Sequence, residues 1–310
     1  MPASLALDPT ESTTRALAAP PPGPNALASG PSIPPSMLLS LHDNLGRLPE
    51  LPDHATLWIC LRGAFAIDSR DGPFLLTGRH YLTLPCDYRA SVLPGYDGVG
   101  LLVAVPQAAF GRAVFALQPR RGLQRMPYAL CSRAPASLIA STFACLRHAA
   151  TWEPQWRAFQ ALQLMHAALA AQSEIAGWLA RAPGRTEKHR HMALQRLLHA
   201  RNRILNAPFD EHDMDSLAQA ARYSKSHFIK AFRDVFGETP GALHVAARIE
   251  MAKLLIARSG LSIGEIAADL GYGSRCAFSR SFKLHTGINA TVFRREGERR
   301  SGAQLAMAGA

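Results

Sequence analysis

Between residues 37 and 118 the chain alternates short apolar runs with turn residues. The runs at 56–61, 64–68, 74–76, 80–84, 89–93 and 99–105 are broken by Arg62-Gly63, Asp71-Gly72-Pro73, Gly78, Pro85 and Pro94-Gly95. Strands of this length and spacing predict a small antiparallel sandwich or barrel, and the spacing does not choose between the two. From 135 to 182 the period becomes helical. Leu138, Phe143 and Leu146, then Phe159, Leu162, Leu164, Met165 and Leu169, recur at helical intervals, with Pro154 dividing two helices. Pro183-Gly184 and the charged stretch at 185–191 read as a linker, placed at 183–192. Beyond it almost every segment is helical. The pattern thus predicts a multidomain α+β chain, with an all-α C-terminal domain at 193–297.

The helical third contains a repeat. Leu217-Ala218-Gln219-Ala220-Ala221, Tyr223-Ser224, Phe228, Phe232 and Gly237-Glu238-Thr239-Pro240 return as Ile266-Ala267-Ala268-Asp269-Leu270, Gly271-Tyr272-Gly273-Ser274, Phe278, Phe282 and Gly287-Ile288-Asn289-Ala290. Each copy reads as a helix, a tight turn and a second helix. Ser262 and Glu265 form a capping box and Asp213 is the expected N-cap of the first copy. Gly271 suits the left-handed conformation of a sharp turn, and Arg222 holds the equivalent place less comfortably. Ser224 and Ser274 are the expected N-caps of the second helices. Phe228/Phe232 and Phe278/Phe282 lie four apart and share a buried face. Ser226, Ile229, Lys230 and Arg233 then fall on the open face of one helix, and Arg275, Cys276, Ser279, Arg280 and Lys283 on that of the other. Between the copies, 242–258 reads as one helix with Leu243, Ile249, Leu254 and Leu255 as its core stripe. It would set the second helices about one DNA turn, roughly 34 Å, apart. Two helical hairpins packed merely as a bundle are the alternative, and duplication, capping and basic open faces together count against it.

Charge sharpens this picture. The net charge is +11, and residues 183–300 hold 20 basic against 12 acidic side chains, whereas residues 1–182 contain no lysine. A basic C-terminal part fits a polyphosphate or an anionic surface, or a solvated basic face. With 48% apolar and 18% charged residues the composition is globular. Residues 1–36, rich in Pro, Ala, Ser and Gly, are expected to form a disordered tail, and 298–310 a flexible one. Five cysteines without a C-x-x-C pair favour a reducing compartment. No run reaches the roughly 20 apolar residues of a membrane span, and no signal peptide is read at the N-terminus. A cytoplasmic protein without a membrane partner is expected.

The C-terminal pattern resembles the AraC/XylS transcription regulators. The matching residues are Leu217-Ala218, Ser224, Phe228, Phe232, Gly237-x-x-Pro240, Arg248, Ala252, Leu255, Ser262-Ile263-x-Glu265-Ile266-Ala267, Gly271-Tyr272, Phe278-Ser279-Arg280-x-Phe282-Lys283 and Gly287. The chain departs from the pattern at Ala290, where a closing Pro is expected, and in the first turn, which lacks a small residue. The resemblance implies that Ser226, Ile229, Lys230, Arg275, Cys276 and Arg280 face bases. Arg280 is foremost, since a guanidinium reads guanine O6/N7 in a bidentate way. Ser224, Lys225, Arg233, Ser274, Ser279 and Lys283 would contact phosphate, which positions without specifying; each is otherwise an idle surface side chain.

For residues 37–182 the resemblance implies a cupin-like barrel or sandwich that binds an effector, with dimerisation helices at 135–182. The stretch Leu76-Thr77-Gly78-Arg79-His80-Tyr81-Leu82-Thr83-Leu84-Pro85 looks like a cupin strand entry, with Arg79 where an acidic residue is common. The function expected is a sequence-specific regulator, dimeric and effector-responsive, whose partners are duplex DNA, an unidentified small molecule and RNA polymerase. The alternatives are a cupin-type metalloenzyme fused to a helical module, or a protein-interaction module. A metal cupin clusters its histidines, whereas His42, His54 and His80 stand far apart without an H-x-H pair. No nucleophile motif is present, and no metal or cofactor is expected. Cys60 and Cys86 lie in apolar strands, where packing is the plainer reading than oxidant sensing.

Overall fold

The structure, a computed structural model, describes residues 36–41, 51, 53–107, 109–110, 127–148, 154–210, 212–297 and 299. The tails expected at 1–36 and 298–310 lie almost wholly outside these residues. The chain divides into two units, one within Met1–Ile67 and Leu76–Gln172, the other within Asp68–Leu75 and Ser173–Ala310.

The strands are β1 (Ser36–Leu41), β2 (His54–Arg62), β3 (Ala64–Asp68), β4 (Phe74–Thr77), β5 (His80–Leu84), β6 (Ser91–Leu93), β7 (Val99–Pro106) and β8 (Leu130–Arg133). Among the described residues they form a five-stranded sheet in the order β1-β7-β2-β5-β8 and a three-stranded sheet β4-β3-β6. Pairing along the larger sheet is antiparallel, with Trp58 opposite Leu82 on one side and Leu102 on the other. Two helices follow, α1 (Ala136–His148) and α2 (Pro154–Ala170). Leu57 and Ile59 of β2, Tyr81 of β5 and Val103 of β7 share a core with Leu138 of α1 and with Leu164 and Met165 of α2. The Tyr81 hydroxyl donates to the Ala168 carbonyl at 3.2 Å. The alternate residues Trp58, Leu82 and Leu102 are buried as well. With both faces covered, these strands read as continuous apolar runs. Two expectations need correction. The run at 89–93 pairs only over Ser91–Leu93. Phe143, assigned to the helical core, is 49% exposed, and the inward positions of α1 are Leu138, Thr142 and Cys145.

The second unit is helical: α3 (Glu174–Arg181), α4 (Glu187–Asn206), α5 (Met214–Ala220), α6 (Lys225–Phe236), α7 (Pro240–Arg258), α8 (Ile263–Asp269) and α9 (Arg275–Thr286). Its bounds differ from those expected. α4 begins inside the stretch expected to be a linker at 183–192, because Thr186 accepts the His189 amide and starts a helix there. The unit itself starts at Ser173, so α3 belongs with the domain expected to begin at 193. It also includes Asp68–Leu75, where the fully buried Asp71 pairs with His199 Nδ1 and accepts Asn202 Nδ2 at 2.8 Å. The Asp71 carbonyl accepts Asn206 Nδ2 at 3.1 Å, so three residues on one face of α4 hold this turn.

α7 starts at Pro240 rather than 242. Thr239 accepts the Ala242 amide, and proline at the first helical position sacrifices no hydrogen bond. Its buried stripe is Ile249, Ala252 and Ile256, with Leu243 buried near its start, whereas Leu254, assigned to the stripe, is 44% exposed. At 100° per residue, position 254 lies well round the helix from 249 and 256. α7 packs against α4, α6, α8 and α9, and is thus the central support of both repeats. No helix of the described residues is long and apolar enough to cross a membrane.

Candidate nucleic-acid interface

The two repeats fold alike down to their turns. In the first, the Arg222 amide donates to Gln219 O and the Tyr223 amide to Ala218 O, each at 2.9 Å. In the second, the Gly271 amide donates to Ala268 O and the Tyr272 amide to Ala267 O, again at 2.9 Å. Closing this turn requires a left-handed residue. Gly271 adopts φ 71° and Arg222 is driven to φ 60°, a conformation that costs a residue with a Cβ roughly 1–2 kcal/mol. The capping expectations hold at three sites of four. Asp213 accepts the amides of Asp215 and Ser216, the Ser262–Glu265 box closes in both directions, and Ser274 accepts the Ala277 amide. Ser224 occupies the N-cap position of α6, but its hydroxyl makes no capping bond. Both second helices end on a left-handed glycine, Gly237 at φ 84° and Gly287 at φ 78°. Ala290, where the family pattern closes with proline, is 3% exposed and lies in the same core as Phe278 and Phe282.

The four anchoring phenylalanines are fully buried. Each contributes about 1.5–3 kcal/mol through its removal from water, enough to fix which side of each helix faces outward. That outward side carries the expected contact residues. On α6 and its cap, Ser224, Lys225, Ser226, Lys230 and Arg233 are exposed and Ile229 is half-buried. On α9 and its cap, Ser274, Arg275, Cys276, Arg280 and Lys283 are exposed and Ser279 is half-buried. Each helix and its first turn therefore present three exposed cations, of which Lys230 and Arg280 lie opposite the phenylalanines. Two of these six are already engaged within the chain. Lys225 Nζ lies 2.8 Å from the Asp215 carboxylate, whose hydrogen bond and charge raise its pKa. Arg280 Nε donates to its own helix at Cys276 O over 3.4 Å, so the guanidinium lies back along α9.

Arg248, matched to the family pattern but given no role from sequence, joins the two repeats. Its Nε donates to the Pro208 carbonyl ahead of α5 at 3.2 Å, and its guanidinium lies 5.9 Å from the Tyr272 ring centre in the second turn. Beside it, His212 and His244 meet edge to face at 4.8 Å. Desolvation lowers both histidine pKa values. The Arg248 charge adds to this at each, and His212 adds to it at His244. Sequence reasoning also missed α3. Arg181 donates from Nε and Nη2 to the Val235 carbonyl at the end of α6, and Trp178 packs edge-on against Phe236. These partners stand more than fifty residues apart, so no local pattern announces them.

Among the described residues no group of three or more His, Cys, Asp or Glu is placed to hold a metal. His80 Nδ1 is within 3.0 Å of Thr77 Oγ1, and His42 lies outside the described residues. Burial pushes the Cys60 and Cys86 thiols up to about 11, which disfavours the reactive thiolate.

Comparison with known proteins points to the same region. The helix-turn-helix domain family matches residues 217–296. Over 122 residues the chain is 32% identical to the RCS-specific HTH-type transcriptional activator RclR of Escherichia coli (strain K12), covering 38% of this chain and 41% of that protein. It is 32% identical over 84 residues to the probable transcription factor PqrA of Proteus vulgaris, covering 27% of this chain and 69% of that protein. Among solved structures it is similar to the DNA-binding domain of the global transcriptional factor AdpA in complex with a target DNA. There the identity is 25%, the TM-score 0.32, and the coverage 34% of this chain and 94% of that one. The chain spans between about a third and two fifths of the length of the first curated relatives it matches, at 41%, 34% and 31%.

Proposed function

Since the chain belongs to the AraC/XylS family of helix-turn-helix regulators, we propose that it controls transcription by binding a specific DNA duplex, reading two successive major-groove segments with α6 and α9. The observation that carries this reading is the duplicated helix pair, whose buried phenylalanines leave a cationic outer side on each second helix. In this reading Ser226, Ile229, Lys230, Arg275, Cys276 and Arg280 face bases, and Ser224, Lys225, Arg233, Ser274, Ser279 and Lys283 meet phosphates. Lys225 does so by exchanging or sharing its Asp215 partner.

The strand-rich unit serves as a cupin-like effector domain. The antiparallel larger sheet and its helical backing support that assignment. Dimerisation is assigned to α1 and α2, where Phe143 presents apolar surface, and no longer to the whole of 135–182. The cytoplasm is the compartment where such a protein meets the genome, and RNA polymerase is a partner if the protein activates. The matched relatives named above are regulators, which favours this reading over a metalloenzyme.

The test is selection of bound duplexes from random DNA, followed by binding at two salt concentrations. A recovered sequence motif is expected, with log affinity falling by about 0.9 per phosphate neutralised for each unit of log salt. Arg280→Ala should cost roughly 1–3 kcal/mol on the selected duplex and relax one base position. Lys283→Ala should weaken all duplexes alike and reduce the salt slope by about 1. Failure to recover any motif, or an Arg280→Ala loss equal on selected and random DNA, overturns base reading by α9.

A further inference from the structure

The two recognition helices end differently. At the end of α9, Thr286 folds its hydroxyl back onto the helix, donating to Phe282 O at 2.7 Å with Ile288 O 2.9 Å away. The second repeat thus closes its own C-terminus with a local side chain. At the end of α6 the equivalent residue is Phe236, which has no hydroxyl to offer. A different carbonyl, one residue before the end of α6, is met there from outside the helix. Arg181, the last residue of α3, directs Nε and Nη2 at Val235 O over 3.0 and 2.7 Å. A forked cation on a helix C-terminal carbonyl satisfies an orphan acceptor and opposes the negative end of the helix dipole.

Aromatic packing continues the contact into the reading helix. Trp178 of α3 packs edge-on against Phe236 with centroids 5.1 Å apart. Phe236 meets Phe232 at 4.6 Å, and Phe232 meets Phe228 at 5.7 Å, within the first turn of α6. Arg201 of α4 caps this ladder, its guanidinium 5.3 Å from the Trp178 ring and 5.7 Å from that of Phe236. Burial alone would penalise its charge, and Glu238 and Glu174 oppose that penalty. An unbroken series of ring contacts therefore runs from α3 down the buried spine of the first recognition helix. α3 is also the first helix of its unit, joined to the end of α2 through residues 171–173 alone.

We propose that α3 is a clamp on the first recognition helix, with Arg181 as the positioning residue that fixes the C-terminal end of α6 and so tunes the DNA segment read by α6 independently of the segment read by α9. This rests on the regulator reading above, yet its structural half is testable without DNA.

The experiment uses the full chain with Arg181→Gln and, separately, Trp178→Ala. Hydrogen exchange without DNA is the first readout. Amides in the last two turns of α6 should exchange about tenfold faster in Arg181→Gln, which loses the charge-assisted fork on Val235 O, while those of α9 stay as in the parent. The second readout is base-by-base interference on duplexes recovered from random DNA, where contacts should weaken in one segment and persist in the other. Arg181→Lys, which keeps the cation but loses the fork, should fall between. Unchanged α6 exchange in Arg181→Gln overturns the clamp, as does equal loosening of α6 and α9 or equal weakening of both segments. If no duplex is recovered, the regulator reading fails while the exchange result still decides the clamp.

Discussion

Arg222 shows how a residue can be constrained by a fold that its own chemistry resists. The turn between α5 and α6 needs a left-handed residue, and Arg222 is held at φ 60° with its side chain exposed. Replacing it by glycine relieves roughly 1–2 kcal/mol of backbone strain and gives back about 0.5–1 kcal/mol in unfolded-chain entropy. Arg222→Gly is therefore expected to be more stable by up to about 1.5 kcal/mol, read as a higher thermal midpoint. A lowered midpoint would show that the arginine makes a contact outweighing the strain. Much at this scale was legible in the sequence, because caps and turns depend on residues within a few positions of one another. Asp213, Ser262, Glu265, Ser274 and Gly271 all behave as their local chemistry requires. Ser224 does not, and neither the engagement of Lys225 by Asp215 nor the folding back of Arg280 is written in residue type. Each depends on side-chain placement that only the packed helices supply.

At the scale of elements, the junction between the repeats titrates. His212 donates from Nε2 to the Ala207 carbonyl at 2.9 Å, His244 packs against it, and Arg248 adds a fixed charge to the pair. Asp210 partly offsets these at His212, and Arg203 adds to them. Both histidine pKa values lie below the ordinary 6.5, first of all because burial disfavours the charged ring. The unfolded chain then takes up protons more readily than the folded one. Stability is complete above about pH 6.5 and falls as the pH drops from there toward the depressed folded values. The thermal midpoint should be lower at about pH 5.5 than at about pH 7.5, and His212→Gln with His244→Gln should narrow that gap. An unchanged gap would place the acid sensitivity elsewhere. The helices themselves were foreseen from periodicity. What misled was the stripe: Leu254 and Phe143 are apolar yet exposed, since period assigns a residue to a face but the partner decides which faces are covered.

The whole molecule distributes its chemistry unevenly. Burial pushes Cys60, Cys86 and Cys145 up to about 11 and Cys131 up to about 12, whereas Cys276 is exposed on α9. At neutral pH the native chain should therefore show one fast thiol toward an alkylating reagent, at Cys276, and the remaining four only on unfolding; a second fast thiol would contradict this. The duplicated motif, the strand-then-helix order and the helix pair within each repeat were determined by the sequence alone, because capping, turn and periodicity signals act over a few residues and are repeated here twice. Tertiary structure decided what joins distant segments. It placed Arg181 on Val235 across 54 residues and Asp71 on His199 across 128, moved α3 into the helical unit, and chose the order of the sheets. Such contacts arise from the mutual fit of surfaces that exist only once the elements have formed, so no stretch of chain carries them by itself.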